Sequence, residues 1–243
     1  MGDFLATYER LWGSRPIGGR EKAFVTERAG RNGSGTTTIT TRLSAGELAA
    51  DEHLLHLDGR LVGADQPNTN NQLWTSDDLR YGLPSVATGP LNWLHNDQKI
   101  IGCITSAQFL DGDREAADEG ARDPHIRASS VLWRYLFPAE ARVVAWAAEE
   151  GSLFYSMECI SREVECAGHN GCGAHMSYAD ALRKTEKACE HVRDRASARR
   201  LVDPVFQGAA VIVPPKRPGW QKAFLSVVQR KGEDTLAGAL LNA

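Results

Sequence analysis

The sequence predicts an α+β domain built on a mainly antiparallel β-sheet or β-barrel surrounded by helices. Three observations carry this expectation. Strand-like segments fill the first half of the chain and are joined by short polar turns. Convincing helices come singly, between the later strands. With 243 residues and 42% hydrophobic content, the chain can bury one sizeable core.

The elements follow in order. Residues 1–12 set Phe4, Leu5, Tyr8, Leu11 and Trp12 at helical spacing and predict a short helix. Residues 13–35, rich in Gly, Ser and Arg, read as an arm. The β-branched run 36–43 predicts a strand. Residues 53–65 predict two strands about an Asp58–Gly59 turn. A polar turn then leads into a short helix, capped by Thr75 or Ser76 ahead of Asp77 and Asp78. Residues 91–110 predict strand, turn and strand, the charged run 111–124 a solvated loop, and 125–133 another strand. The clearest helix is 138–151, with Pro138 at its start, Val143, Val144 and Ala147 on one stripe, and Gly151 at its stop. Residues 152–166 return to strand character. A second helix is predicted over 177–200, with Ala181, Leu182, Thr185, Ala188, Cys189 and Val192 on one face. An apolar strand over 205–215 ends in prolines. The expected organisation is an N-terminal arm (1–35), one domain (36–220) with a Cys- and His-bearing insertion at about 160–200, and a tail (221–243).

Composition narrows the function. Charged residues are 24% of the chain and the formal net charge is −3, which disfavours a general grip on nucleic acid. No apolar run reaches the roughly 18–20 residues of a membrane span, so no membrane partner is expected. The first residues lack a basic region followed by an apolar stretch, so no export signal is expected. Five cysteines without such a signal favour reduced thiols or a metal site over disulfides.

Acyl-transfer chemistry needs a nucleophile, a base, a group that orients the base, and donors for the oxyanion. Seven histidines are available as bases. His95 closes an apolar stretch beside a polar turn, and Ser156 lies inside an apolar strand after the clearest helix. Spacing alone does not single out this pair.

A resemblance does. In order, LVGADQPNTNNQLWTSDDL, GPLNWLHNDQKIIGCI, HIRASSVLW, PAEARVVAWAAEEG and SLFYSMECI resemble the prohead (capsid-maturation) serine proteases of tailed phages, which share the herpesvirus assemblin fold. The resemblance implies that His95 is the general base and Ser156 the nucleophile. The third member stays open among His191, Asp203 and Glu165. HVRDRASARR resembles the assemblin stretch with the third His and an Arg pair, which would place Arg199 or Arg200 at the oxyanion. The implied substrates are the phage major capsid and scaffolding proteins and the protease itself, cleaved inside the procapsid in the host cytoplasm. A homodimer stays open, and no cofactor is implied for catalysis. The rival reading is a procapsid scaffolding component that keeps the fold without catalysis.

The cysteine cluster reads separately. Cys166, Cys172 and Cys189, with His169, His175 or His191, could form a tetrahedral structural zinc site. If His191 is a zinc ligand, it cannot also orient His95.

Overall fold

The computed structural model describes residues 25–28, 36–40, 53–112 and 119–228. The predicted helix at 1–12, most of the arm and the end of the tail lie outside the described residues.

The strands are β1 (Val25–Arg28), β2 (Thr36–Thr40), β3 (Leu54–Gly63), β4 (Gln72–Leu73), β5 (Pro90–Trp93), β6 (Asn96–Leu110), β7 (His125–Trp133), β8 (Phe154–Ala167), β9 (His175–Ser177), β10 (Ala198–Ile212) and β11 (Phe224–Val227). The helices are α1 (Ser76–Gly82), α2 (Glu119–Arg122), α3 (Pro138–Glu149), α4 (Tyr178–Arg183) and α5 (Glu190–Arg193). All strands join one sheet in the order β11-β3-β7-β6-β5-β10-β8-β9, with β2 on β6, β1 on β2, and β4 beside β10. Pairing is antiparallel except where β10 meets β4 and β5.

The sheet is open, so the expected closed barrel is not formed. Its ends, β11 and β9, pair with β3 and β8 respectively and not with each other. The sheet nonetheless curls until β11 approaches the start of β8, where Leu225 N donates to Leu153 O at 3.1 Å. The helices are few and mostly short. The longest, α3, lays Ala141, Val144 and Ala147 on the core as a stripe at helical spacing, whereas Val143, expected on that stripe, points off it and is exposed. Leu57, Leu61, Ile101, Phe109, Ile126 and Leu132 are fully buried with Tyr155 of β8. Burial pushes the Tyr155 phenol far above its ordinary value, so it stays a neutral hydroxyl. It is hydrogen-bonded to Ser130 Oγ at 2.6 Å, which ties β8 to β7 through the core.

Two predicted elements take another form. Residues 54–63 are one continuous strand, not two strands about a turn. Gly59 is needed for proximity instead: a Cβ there would lie 1.9 Å from Phe224 O of β11. That neighbour lies in the predicted tail, which contributes a strand. The predicted helix 177–200 breaks into α4, α5 and the first residues of β10. Lys184 turns left-handed (φ 54°) at the α4 C-cap, and Thr185 Oγ1 donates back to Asp180 Oδ1 at 2.7 Å. From Ala198 the chain is drawn into a long ladder with β8. That ladder outweighs the local helical pattern, because short helices are marginal without packing.

Candidate active site and cysteine cluster

Cross-strand register builds the site. Asn92 of β5 pairs with Ala210 of β10, which pairs with Ser156 of β8. Directly opposed residues point to the same face of a sheet, so Asn92 and Ser156 share one. Strand alternation adds Glu158 to that face and sends Tyr155 to the other.

His95 arrives on this face by a tight turn. Trp93 pairs with Asn96, leaving Leu94 and His95 as the two central residues of the β5–β6 hairpin. Both have positive φ, 58° and 64°. Two-residue hairpins with positive φ at both positions favour Asn and Gly. Leu and His there store about 1–3 kcal/mol of strain each. Their surroundings hold them: Asn92 Oδ1 accepts from His95 N at 3.0 Å, and Lys216 Nζ donates to Leu94 O at 2.8 Å.

The turn delivers the His95 ring to Glu158. Nδ1 lies 2.9 Å from Glu158 Oε1, and Asn92 Nδ2 donates to the same oxygen at 2.8 Å. Asn92 is 1% exposed and thus holds both partners, one through each end of its amide. A carboxylate on Nδ1 makes that nitrogen the protonated one and leaves Nε2 as the basic nitrogen. Ser156 and His95 line one cleft with Leu61, Asn70, Gln72 and Trp220. No hydrogen bond joins Ser156 Oγ to His95 among the described residues. Such contacts are often long without substrate and tighten when it binds.

The three candidates for the third position lie elsewhere. His191 sits among the cysteines. Glu165 accepts from Arg200 at 2.8 Å, and Asp203 faces Arg162 at 3.8 Å. The acid that meets His95 is Glu158, which is none of the three. The predicted oxyanion arginines are also engaged. Arg200 bonds Asp78 through Nε (2.8 Å) and NH2 (3.1 Å), and Glu165 through NH1. These carboxylates hold the guanidinium firmly charged. Arg199 NH2 donates to Asn70 O at 2.7 Å, behind the cleft wall rather than on it.

Cys166, Cys172, Cys189 and His191 bring their ligand atoms within 4.8 Å of one another. This Cys3His group could hold a metal ion, and its donors suit the tetrahedral, thiolate-rich environment of zinc. Burial of Cys166 works against ionisation. Hydrogen bonds from Ser197, the Cys172 amide and the neighbouring thiols outweigh it and hold the Cys166 thiol below its ordinary value. Of the alternative histidines, His175 pairs with Glu163 at 3.0 Å, and the group does not include His169. Cys159 stands apart, pushed up to about 12 by burial, which suits an inert thiol and not a nucleophile.

Sequence reading missed Glu158 and Asn92. Glu158 carries a legible signal, two residues beyond Ser156 on an alternating strand. Asn92 carries almost none, because its role depends on the register with β10. The chain matches no protein-family model, and no curated protein is similar to it.

Proposed function

We propose that this chain is a serine endopeptidase of the phage prohead type, with Ser156 as nucleophile, His95 as general base and Glu158 as the group that orients it. One observation carries the reading: a histidine held in a strained turn, bound through Nδ1 to a carboxylate, on the same face and cleft as a strand serine. The open, mostly antiparallel sheet is compatible with an assemblin-like fold.

In this reading Ser156 Oγ attacks the scissile carbonyl carbon while its proton passes to His95 Nε2. The imidazolium is stabilised by the Glu158 carboxylate against its Nδ1. The tetrahedral intermediate collapses with cleavage of the C–N bond, and His95 returns the proton to the leaving amine. Water, deprotonated by His95, then hydrolyses the acyl ester and regenerates Ser156. Asn70 and Gln72 line the cleft, where they would contact the bound peptide. The substrates of this reading are capsid and scaffolding proteins and the chain itself, cut inside the procapsid. The Cys3His group takes a structural zinc ion with no part in the chemistry.

A fluorophosphonate probe tests the assignment. The account expects a single adduct on Ser156, found by peptide mass mapping, and much slower labelling of folded His95→Ala. An adduct on another residue, or none, would overturn it.

A further inference from the structure

The metal cluster and the cleft share a piece of backbone. The Asn68–Gln72 loop forms one wall of the cleft. Asn71, itself at φ 60°, donates its Nδ2 to Arg195 O (3.2 Å) and Ser197 O (2.9 Å). Both carbonyls lie in the segment that leaves the metal-ligand group. Ala196 N closes back onto His191 O at 2.8 Å, and buried Ser197 sets its Oγ 3.0 Å from Cys166 Sγ. The next residues continue the grip: Arg199 N donates to Asn71 O at 2.8 Å, and the Arg199 guanidinium bonds Asn70 O. The far side of the loop is fixed independently, by Thr69 N and Oγ1 on Gly219 O, each at 2.9 Å.

From this connection we infer that zinc bound by Cys166, Cys172, Cys189 and His191 braces the Asn68–Gln72 wall of the cleft, and so governs how tightly a peptide is held. This rests on the cleft and zinc reading above. Without a cation nothing bonds the three cysteines and the imidazole to one common centre. A cation fixes Cys189 and His191 to Cys166, and thereby the carbonyls of Arg195 and Ser197 that hold Asn71. Metal loss loosens the Arg195 and Ser197 carbonyls and leaves the loop to its bonds with Arg199 and Gly219. The chemical groups are anchored differently, through β5, β8 and Asn92, and keep their arrangement. The predicted signature is a raised KM with kcat little changed.

The test uses the full-length chain. Metal content is measured by mass spectrometry, and backbone hydrogen exchange is followed with and without a chelator. The inference expects one zinc per chain. It also expects exchange over 68–73 to rise by about tenfold or more on metal removal, while 92–104 stays protected. Cys172→Ser, at an exposed ligand, should lose zinc and show the same local rise. Asn71→Ala should keep zinc and still show it. No zinc, or equal exchange over 68–73 with and without it, would overturn the brace. If the exchange responds as expected while Ser156 takes no phosphonate, the brace stands and the protease reading falls.

Discussion

His95 Nδ1, on the β5–β6 turn, and Glu158 Oε1, on β8, meet at 2.9 Å, and the buried amide of Asn92 binds both partners. The carboxylate sets the tautomer of the ring, and the amide sets where carboxylate and ring meet.

Glu158→Gln should therefore leave the fold intact and lower kcat by about 10²–10⁴-fold, with KM little changed. Glu158→Asp should recover part of the loss. Steady-state kinetics on a capsid-derived peptide checks this. A loss confined to KM would show that Glu158 binds substrate rather than orienting the base.

Asn92→Ala removes the donor to Glu158 and the acceptor for His95 N. The expected result is a fall in kcat of about a hundredfold, from misplacement of the base rather than its removal. Leaving buried partners unsatisfied should also lower stability by about 1–3 kcal/mol. Kinetics and urea unfolding on one sample read both effects.

Much of this frame was legible. β7 covers His125–Trp133 as its alternation predicts, and α3 starts at Pro138 and ends within two residues of Gly151. Those elements carry their own signals, a period of two or a proline start and glycine stop. The site was only half legible. His95 and Ser156 came from a resemblance, while Glu158 was overlooked although strand alternation places it beside Ser156. A turn beside His95 was legible from the polar residues after it, but its centre at Leu94–His95 was not, because neither residue is one that tight hairpins favour. The stretch 177–200 misled for the opposite reason. Its apolar spacing is helical, but capture of Cys189 and His191 by the cysteine cluster and of Ala198 onward by β8 decides its form.

The cleft wall at Trp220 depends on Gly63. A Cβ at that position would lie 2.4 Å from the Trp220 ring, which also stands beside His125. Gly63→Ala should push the indole from its seat and destabilise the fold by about 1–3 kcal/mol. Peptide affinity should fall with it, since Trp220 lines the cleft. Calorimetric binding to the Ser156→Ala background separates affinity from turnover.

Asp78 gives a pH dependence with a definite sign. Burial tends to raise its pKa, but hydrogen bonds from Arg200 and Thr75 outweigh that and hold it below the ordinary carboxylate value. A depressed folded-state pKa contributes stability that is complete above the unfolded value and fades as pH falls through the folded one. Wild type should therefore lose this contribution below about pH 4, whereas Asp78→Asn lacks it throughout. The variant should be less stable at neutral pH by about 3 kcal/mol, because Arg200 loses a buried partner. The two should converge in acid, as urea midpoints measured across pH will show.

The central claim is that Ser156 cuts proteins of the procapsid. The most direct measurement co-expresses the chain, or its Ser156→Ala variant, with candidate capsid and scaffolding proteins, and weighs the fragments. The account predicts trimming of the chain or its partners by the wild type and intact masses with the variant. Intact masses with both folded chains would contradict it and favour a scaffolding component that keeps the fold without catalysis.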